Sequence, residues 1–287
     1  NNSVLADMIA LRLADYVVTE SGFGVEMGLE KMINVKCRQS GLKVDAAVIV
    51  CTVRALKMHG GVGRVVAGRP LPKELIEENI PALEEGLEVL KNAIRVVNLM
   101  GLPAIVAVNR FVTDTDRELE LVLKRAQEFG AVGAAISEVW EKGGAGGIDL
   151  AKAVVEVLEK QPGQMKFLYP DDLAIKEKIE TIATQIYGAD EVEFSPLARQ
   201  KIKRYEALSL GELPICMAKT HLSLSHDPNW KGVPKNYKFP IRDIRASAGA
   251  GFLYPLAGEI VTMPGLPSEP AATRIDIDDE GKVVGLF

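Results

Sequence analysis

Four short runs constrain the fold more than anything else in the chain: "YVVT" (16–19), "AAVIV" (46–50), "AIVAV" (104–108) and "VGAAI" (132–136). None of them alternates apolar with polar residues. A strand with one face in water alternates, so continuous runs of this length are expected of strands buried on both faces of a parallel sheet. The segments between them have the period of amphipathic helices. Leu83, Leu87, Leu90, Ile94 and Val97 recur at spacings of four and three, with Pro81 near the start and Gly101 after the end. Leu119, Val122, Ala126 and Phe129 form a second stripe. It is preceded by Thr115-Asp116-Arg117-Glu118, which has capping-box spacing, and followed by Gly130 as a left-handed stop. A third, with Leu150, Val154 and Val157, ends at Gln161-Pro162-Gly163. Four βα units in succession predict an α/β fold with a doubly wound, mostly parallel sheet over residues 1–187. Ligands of such sheets bind outside the carboxyl ends of the strands.

The pattern changes after Gly163. One helix carries Ile175, Ile179, Ile182 and Ile186, and another starts at Ser195-Pro196 as cap and first-turn residue. Shorter strand-like pieces follow: "LPICMA", "FPIRDIRA", "GFLYPL", "EIVTM" and "RIDIDDEGKVVGLF", the last a hairpin turning near Glu280-Gly281 with Ile275 and Ile277 on one face. Residues 188–287 are therefore expected to form a smaller α+β domain.

Charge and composition exclude several classes of function. The chain has 287 residues, 34 Lys and Arg against 39 Asp and Glu, and a formal charge of -5, with no basic stripe to follow a nucleic-acid backbone. No apolar stretch reaches the ~20 residues that span a bilayer, so neither nucleic acid nor membrane is an expected partner and the cytoplasm is the expected location. The opening "NNSVLADMIA", with a helix already under way behind Ser3 as its cap, reads as a cut edge. Cys37, Cys51 and Cys216 lie far from any C-x-x-C spacing and are expected to be reduced, buried thiols. His221 and His226 have no Cys or Glu at metal-ligand spacing, so a polar loop is expected there and no metal site.

Glycines crowd "SEVWEKGGAGG" (137–147), where a phosphate-binding loop could lie. A P-loop needs G-x-x-x-x-G-K-[ST], because backbone N–H groups hold phosphates, the Lys adds charge and the hydroxyl binds magnesium. "GGAGGIDL" has neither the Lys nor the hydroxyl. The nearest match, Gly63–Pro70, puts Arg69 and Pro70 in those places. Trp140 and Phe111 fall just past the ends of two neighbouring strand-like runs. Rings there could sandwich a flat heterocycle, or cap the sheet core. Thr19, Glu20, Gly22, Phe23 and Gly24 form a tight turn after the first run, where a phosphate could meet backbone donors. Arg54, Lys57 and His59 follow the second run and suit an anionic intermediate, although a solvated helix start explains them as well.

The stretches "NSVLADMIALRLADYVVTESGFG", "MGLEKMINVKCRQSGL", "TVRALKMHGG", "VNRFVTDTDRELE", "SEVWEKGGAGG", "IYGADEVEF", "LPICMAKTHLSLSHDP" and "TMPGLP…IDIDDEGKVVGLF" together resemble formate–tetrahydrofolate ligase (formyltetrahydrofolate synthetase), in its carboxyl-terminal half. The resemblance runs in order from Asn1 to Phe287. It implies a P-loop-NTPase-like sheet and ATP-dependent ligation of formate to tetrahydrofolate through formyl phosphate. It further implies Mg2+ with the nucleotide, a monovalent cation and a homotetramer. Phe111 and Trp140 look like the family's pterin-stacking pair, with Asn109 and Asp114 on the pterin's polar edge. Thr19, Glu20, Gly22, Phe23 and Gly24 would border nucleotide and formyl phosphate, with Arg54, Lys57 and His59 as further anion contacts. The family's P-loop lies upstream of every stretch matched here. The partner implied is therefore an amino-terminal half that carries the P-loop, and without it the chain would be a non-catalytic binding or assembly fragment.

Overall fold

The computed structural model describes residues 3–63, 65, 70–260, 268–279 and 283–285. The chain opens with α1 (Val4–Leu13). After an irregular stretch comes a continuous helical run made of α2 (Gly28–Lys31), a π-helical segment (Met32–Cys37) and α3 (Arg38–Ser40). Then follow β1 (Ala47–Cys51), α4 (Val53–His59), α5 (Lys73–Ile76), α6 (Ile80–Leu99), β2 (Ala104–Asn109), α7 (Asp116–Glu128), β3 (Gly133–Ser137), α8 (Val139–Lys142) and α9 (Ile148–Lys160). The remainder comprises α10 (Ile175–Gln185), β4 (Glu191–Phe194), α11 (Pro196–Ala207), β5 (Lys238–Ser247), β6 (Phe252–Ala257), β7 (Asp276–Ile277) and β8 (Val283–Val284).

β1, β2 and β3 form a parallel sheet in that order, with Ile49 opposite Val106 and Val106 opposite Ala134. β2, in the centre, is buried from Ala104 to Val108, as its unbroken apolar run requires. β1 is not: Ile49 is buried, but Val48 and Val50 on the opposite face are 40% and 61% exposed. The fourth expected strand, "YVVT", is absent. Residues 16–19 carry no regular structure, because a strand needs a hydrogen-bonding neighbour and none of the described strands pairs with them.

The helix ends obey local chemistry. Thr115 Oγ1 accepts from Glu118 N–H while Glu118 accepts from Thr115 N–H, which closes the capping box of α7. Gly130 follows it at φ +95°. Asn79 caps α6, with Pro81 in its first turn. Ser195 Oγ accepts from Ala198 N–H at the start of α11. Ser3 precedes α1, but its hydroxyl accepts from Lys36 Nζ and makes no cap bond.

α4 and α6 cross in close contact at two glycines. A Cβ on Gly86 would overlap the Leu56 carbonyl oxygen, and one on Gly60 would overlap that of Ala82. Only glycine allows the two backbones to touch there.

In the second sheet β4 is parallel to β5, and β5 antiparallel to β6 with a register shift between Ile241 and Asp243. Phe239, Ile241 and Ile244 of β5 face inward. "LPICMA" makes two isolated bridges to this sheet, Ile215–Leu253 and Ala218–Leu256, and no full strand. One apolar core runs from Leu83, Val106 and Val122 through Ile179 and Ile186 to Phe239 and Leu253. β7 and β8 pair antiparallel, and Ile275 and Ile277 are exposed. The expected hairpin turn, most of "EIVTM" and most of Gly63–Pro70 lie outside the described residues. The thiols are free, and burial pushes Cys37 up to about 11 and Cys51 up to about 12, which leaves both unreactive.

Candidate functional site

β2 and β3 end side by side. Asn109 is the register partner of Ser137, and Arg110 N–H donates to the Ser137 carbonyl at 3.0 Å. Phe111 and Trp140 follow within three residues of those ends, so both stand at the carboxyl edge of the sheet.

The Phe111 loop is braced from several sides. Asp114 N–H donates to the Phe111 carbonyl at 3.0 Å, and Phe111 N–H donates to Asp114 Oδ2 at 2.8 Å, so the turn is closed twice. Asp114 is buried. Burial raises its pKa above the usual carboxylate value, against the pull of the Phe111 N–H and of Lys57 and Arg54. The Arg54 guanidinium carbon lies 4.3 Å from the centre of the Phe111 ring, a cation–π distance. Arg54 Nε and Thr113 Oγ1 are buried with no hydrogen-bond partner among the described residues.

Behind this loop lies an ion pair with both side chains buried, Lys57 Nζ to Glu118 Oε1 at 2.7 Å. Lys57 also donates to the Glu77 carbonyl, and Asn79 N–H to Glu118 Oε1. Burial alone would raise the Glu118 pKa. The bonds from Lys57, Asn79 and Thr115 outweigh it and hold the carboxylate below its ordinary 4.5. One carboxylate thus ties α4, the start of α6 and the start of α7 together.

Trp140 is held more loosely. It sits on the four-residue helix α8 and is 68% exposed. Behind it Glu138 N–H donates to the Gly146 carbonyl at 3.0 Å, and Lys142 Nζ reaches Glu138 at 2.6 Å. A Cβ on Gly146 would overlap the Glu138 carbonyl oxygen, whereas one on Gly144 would meet nothing. Arg110 spans the two loops, at 2.9 Å from Asp116 and 3.7 Å from Glu138. Among the described residues neither Phe111 nor Trp140 has an aromatic neighbour.

Of the residues singled out in the sequence, Arg54, Phe111 and Asp114 come together, and Asn109 ends the strand beneath them. Lys57 turns inward to Glu118. His59 Nδ1 accepts from Gly232 N–H at 3.2 Å, and burial, reinforced by Lys231, lowers its pKa. Thr19, Glu20, Gly22, Phe23 and Gly24 are exposed. Phe23, at φ +64°, packs its ring 5.2 Å from His221, and Glu26 just beyond meets buried Lys219 at 3.4 Å. Burial lowers Lys219 to about 8, with Glu26 opposing. Glu118, Arg110 and Thr113 were not evident as site residues from the sequence. The capping box marks the place of Glu118, but its lysine partner is 61 positions away.

Over residues 1–287 the chain matches a model of the family described as "Formate--tetrahydrofolate ligase". It is 63% identical over 287 residues to the formate–tetrahydrofolate ligase of Desulforamulus reducens, covering 100% of this chain and 50% of that protein. To the ligase of Roseiflexus castenholzii it is 54% identical over 285 residues, covering 99% of the chain and 50% of the relative. To that of Saccharopolyspora erythraea it is 51% identical over 286 residues, covering 100% and 50%. The chain therefore spans about half the length of the curated relatives it matches. A match along its whole length to the family model and to these relatives makes this chain a member of the formate–tetrahydrofolate ligase family.

Proposed function

We propose that the chain provides the tetrahydrofolate-binding part of an ATP-dependent ligase that joins formate to tetrahydrofolate through formyl phosphate. The observation that carries this reading is the placement of Phe111 and Trp140 at the tips of adjacent strands, one ring backed by Arg54 and the other open to solvent. The pteridine stacks on these rings, and Asn109 and the buried Asp114 face its polar edge. The bound amine then attacks the formyl carbon, the carbon–oxygen bond to phosphate breaks, and phosphate leaves as the amine nitrogen gives up its proton to phosphate or solvent. This chain's part is to orient the amine and to exclude water with the Trp140 loop. Arg54, with an unpartnered buried Nε, is the anion contact nearest the rings. Thr19, Glu20, Gly22, Phe23 and Gly24 border the nucleotide, with His59 further off, and Lys57 acts through Glu118 as a positioning residue.

ATP phosphates would be clamped by a P-loop in the other half of the family's length, with Mg2+ arriving on the nucleotide. Among the described residues no group of three His, Cys, Asp or Glu is arranged to hold a metal ion. Residues 1–187 and 188–287 are proposed as the two domains, and a tetramer as the assembled form. The cytoplasm is proposed as its location; no helix of the described residues is long and apolar enough to cross a membrane.

Calorimetric titration with tetrahydrofolate tests the reading. A stacked ring contributes roughly 1–3 kcal/mol, so Phe111→Ala and Trp140→Ala are each expected to weaken binding by about ten- to a hundredfold. Equal affinity in the parent chain and both variants, or no binding by the parent, overturns it.

A further inference from the structure

The loops that follow β2 and β3 are joined by one side chain. Arg110, between Asn109 and Phe111, gives its backbone N–H to the Ser137 carbonyl at 3.0 Å, where β3 ends. Its guanidinium then forks. Nη2 lies 2.9 Å from Asp116, the first residue of α7, and Nη1 lies 3.7 Å from Glu138, the residue before α8. Among the described residues no other ion pair joins the two loops. The side chains of Arg110 and Glu138 are 36% and 23% exposed, so their attraction is partly sheltered from water, whereas Asp116 is 78% exposed.

Glu138 is the residue on which the Trp140 loop closes. Its N–H donates to the Gly146 carbonyl, and its own carbonyl accepts from the N–H groups of Glu141 and Lys142 at 3.1 and 2.9 Å. Lys142 Nζ holds Oε2 of the carboxylate at 2.6 Å and leaves Oε1 to Arg110. The Lys142 bond chiefly, with Arg110 adding to it, keeps this carboxyl below its ordinary pKa, so it is ionised at neutral pH. The backbone bonds and the Lys142 bond are internal to the loop. They fix its shape, not its distance from Phe111. That reference comes from Arg110, which grips Glu138 two residues before the ring.

We propose that Arg110 is a positioning residue for tetrahydrofolate: by holding Glu138 it sets the distance and the freedom of Trp140 relative to Phe111. The inference rests on the folate-binding reading and gives the looser side of that site its anchor. A partly exposed ion pair contributes little to the stability of a whole fold. α8 is a different case, because it is four residues long and none of them is buried, so no core of its own fixes where it sits. A modest pair is enough to decide the matter there.

Two measurements on the whole chain test it. The first needs no ligand and follows the fluorescence anisotropy of Trp140 in a Trp230→Phe background. Arg110→Gln and Glu138→Gln are each expected to lower it, as is high salt in the parent, with the urea midpoint unchanged. The second is calorimetric titration with tetrahydrofolate. Arg110→Gln is expected to weaken binding about two- to fivefold, well short of the loss expected for either ring. Plain attraction of an anionic ligand to Arg110 predicts that result too, and Glu138→Gln separates the two accounts. It removes a negative charge, so attraction predicts tighter binding, whereas positioning predicts a loss of about the same two- to fivefold. The double variant is expected to bind no more weakly than either single one. Tighter binding by Glu138→Gln overturns the proposal, as do additive losses in the double variant or an anisotropy indifferent to both substitutions. A parent chain that binds no tetrahydrofolate sinks the folate reading and this role with it, while the anisotropy separately decides whether Arg110 anchors the loop.

Discussion

The loops carrying Phe111 and Trp140 leave neighbouring strands at the same end of one sheet, yet they are built in opposite ways. The first is a turn closed in both directions by Asp114, backed by Arg54 and founded on the buried Lys57–Glu118 pair. The second is one turn of helix followed by Gly143–Gly147, with its ring mostly in solvent. In the clasp proposed above, one wall would be fixed before the ligand arrives, which lowers the ordering cost of binding, and the other would stay free to close.

The strongest way to break the comparison is to remove the foundation of the fixed wall. Glu118→Ala leaves the Lys57 ammonium buried without its partner, and urea denaturation is expected to show a loss of about 3–5 kcal/mol. Glu138→Ala, behind the free wall, is expected to leave the denaturation midpoint where it was. The same pair gives a pH signature. The folded pKa of Glu118 lies below its ordinary 4.5, so its contribution is complete above that value and disappears as pH falls through the folded one. Glu118→Gln is expected to flatten this part of the acid limb, measured as midpoint against pH.

Smaller effects sharpen the contrast. Asp114→Ala deletes the acceptor of the Phe111 N–H, with an expected cost of about 1 kcal/mol and faster amide exchange at Phe111. Gly146→Ala drives a methyl group into the Glu138 carbonyl oxygen. It is expected to raise the mobility of Trp140, read by fluorescence anisotropy in a Trp230→Phe background, with global stability nearly unchanged. Gly144→Ala, whose methyl meets open space, is expected to change neither.

What the sequence disclosed was local. The capping box at Thr115, the Ser195 cap and the strands around Ile49, Val106 and Ala134 follow from short-range spacing and are found in place. "YVVT" has the composition of a strand, but pairing is a long-range property and no described strand pairs with it. The site divides along the same line. The positions of Phe111 and Trp140 past strand ends were readable from spacing. The capture of Lys57 by Glu118, the Arg54 guanidinium over the Phe111 ring and the diversion of Phe23 toward His221 depend on residues 57 to 198 positions apart.

The touching backbones of α4 and α6 at Gly60 and Gly86 act as a gauge of depth for everything α4 carries. Arg54 and Lys57 lie on the same short helix, so its seating determines at once how near the guanidinium comes to the ring and whether the ammonium reaches its carboxylate. Two missing methyl groups thereby calibrate the firmness of the loop that carries Phe111.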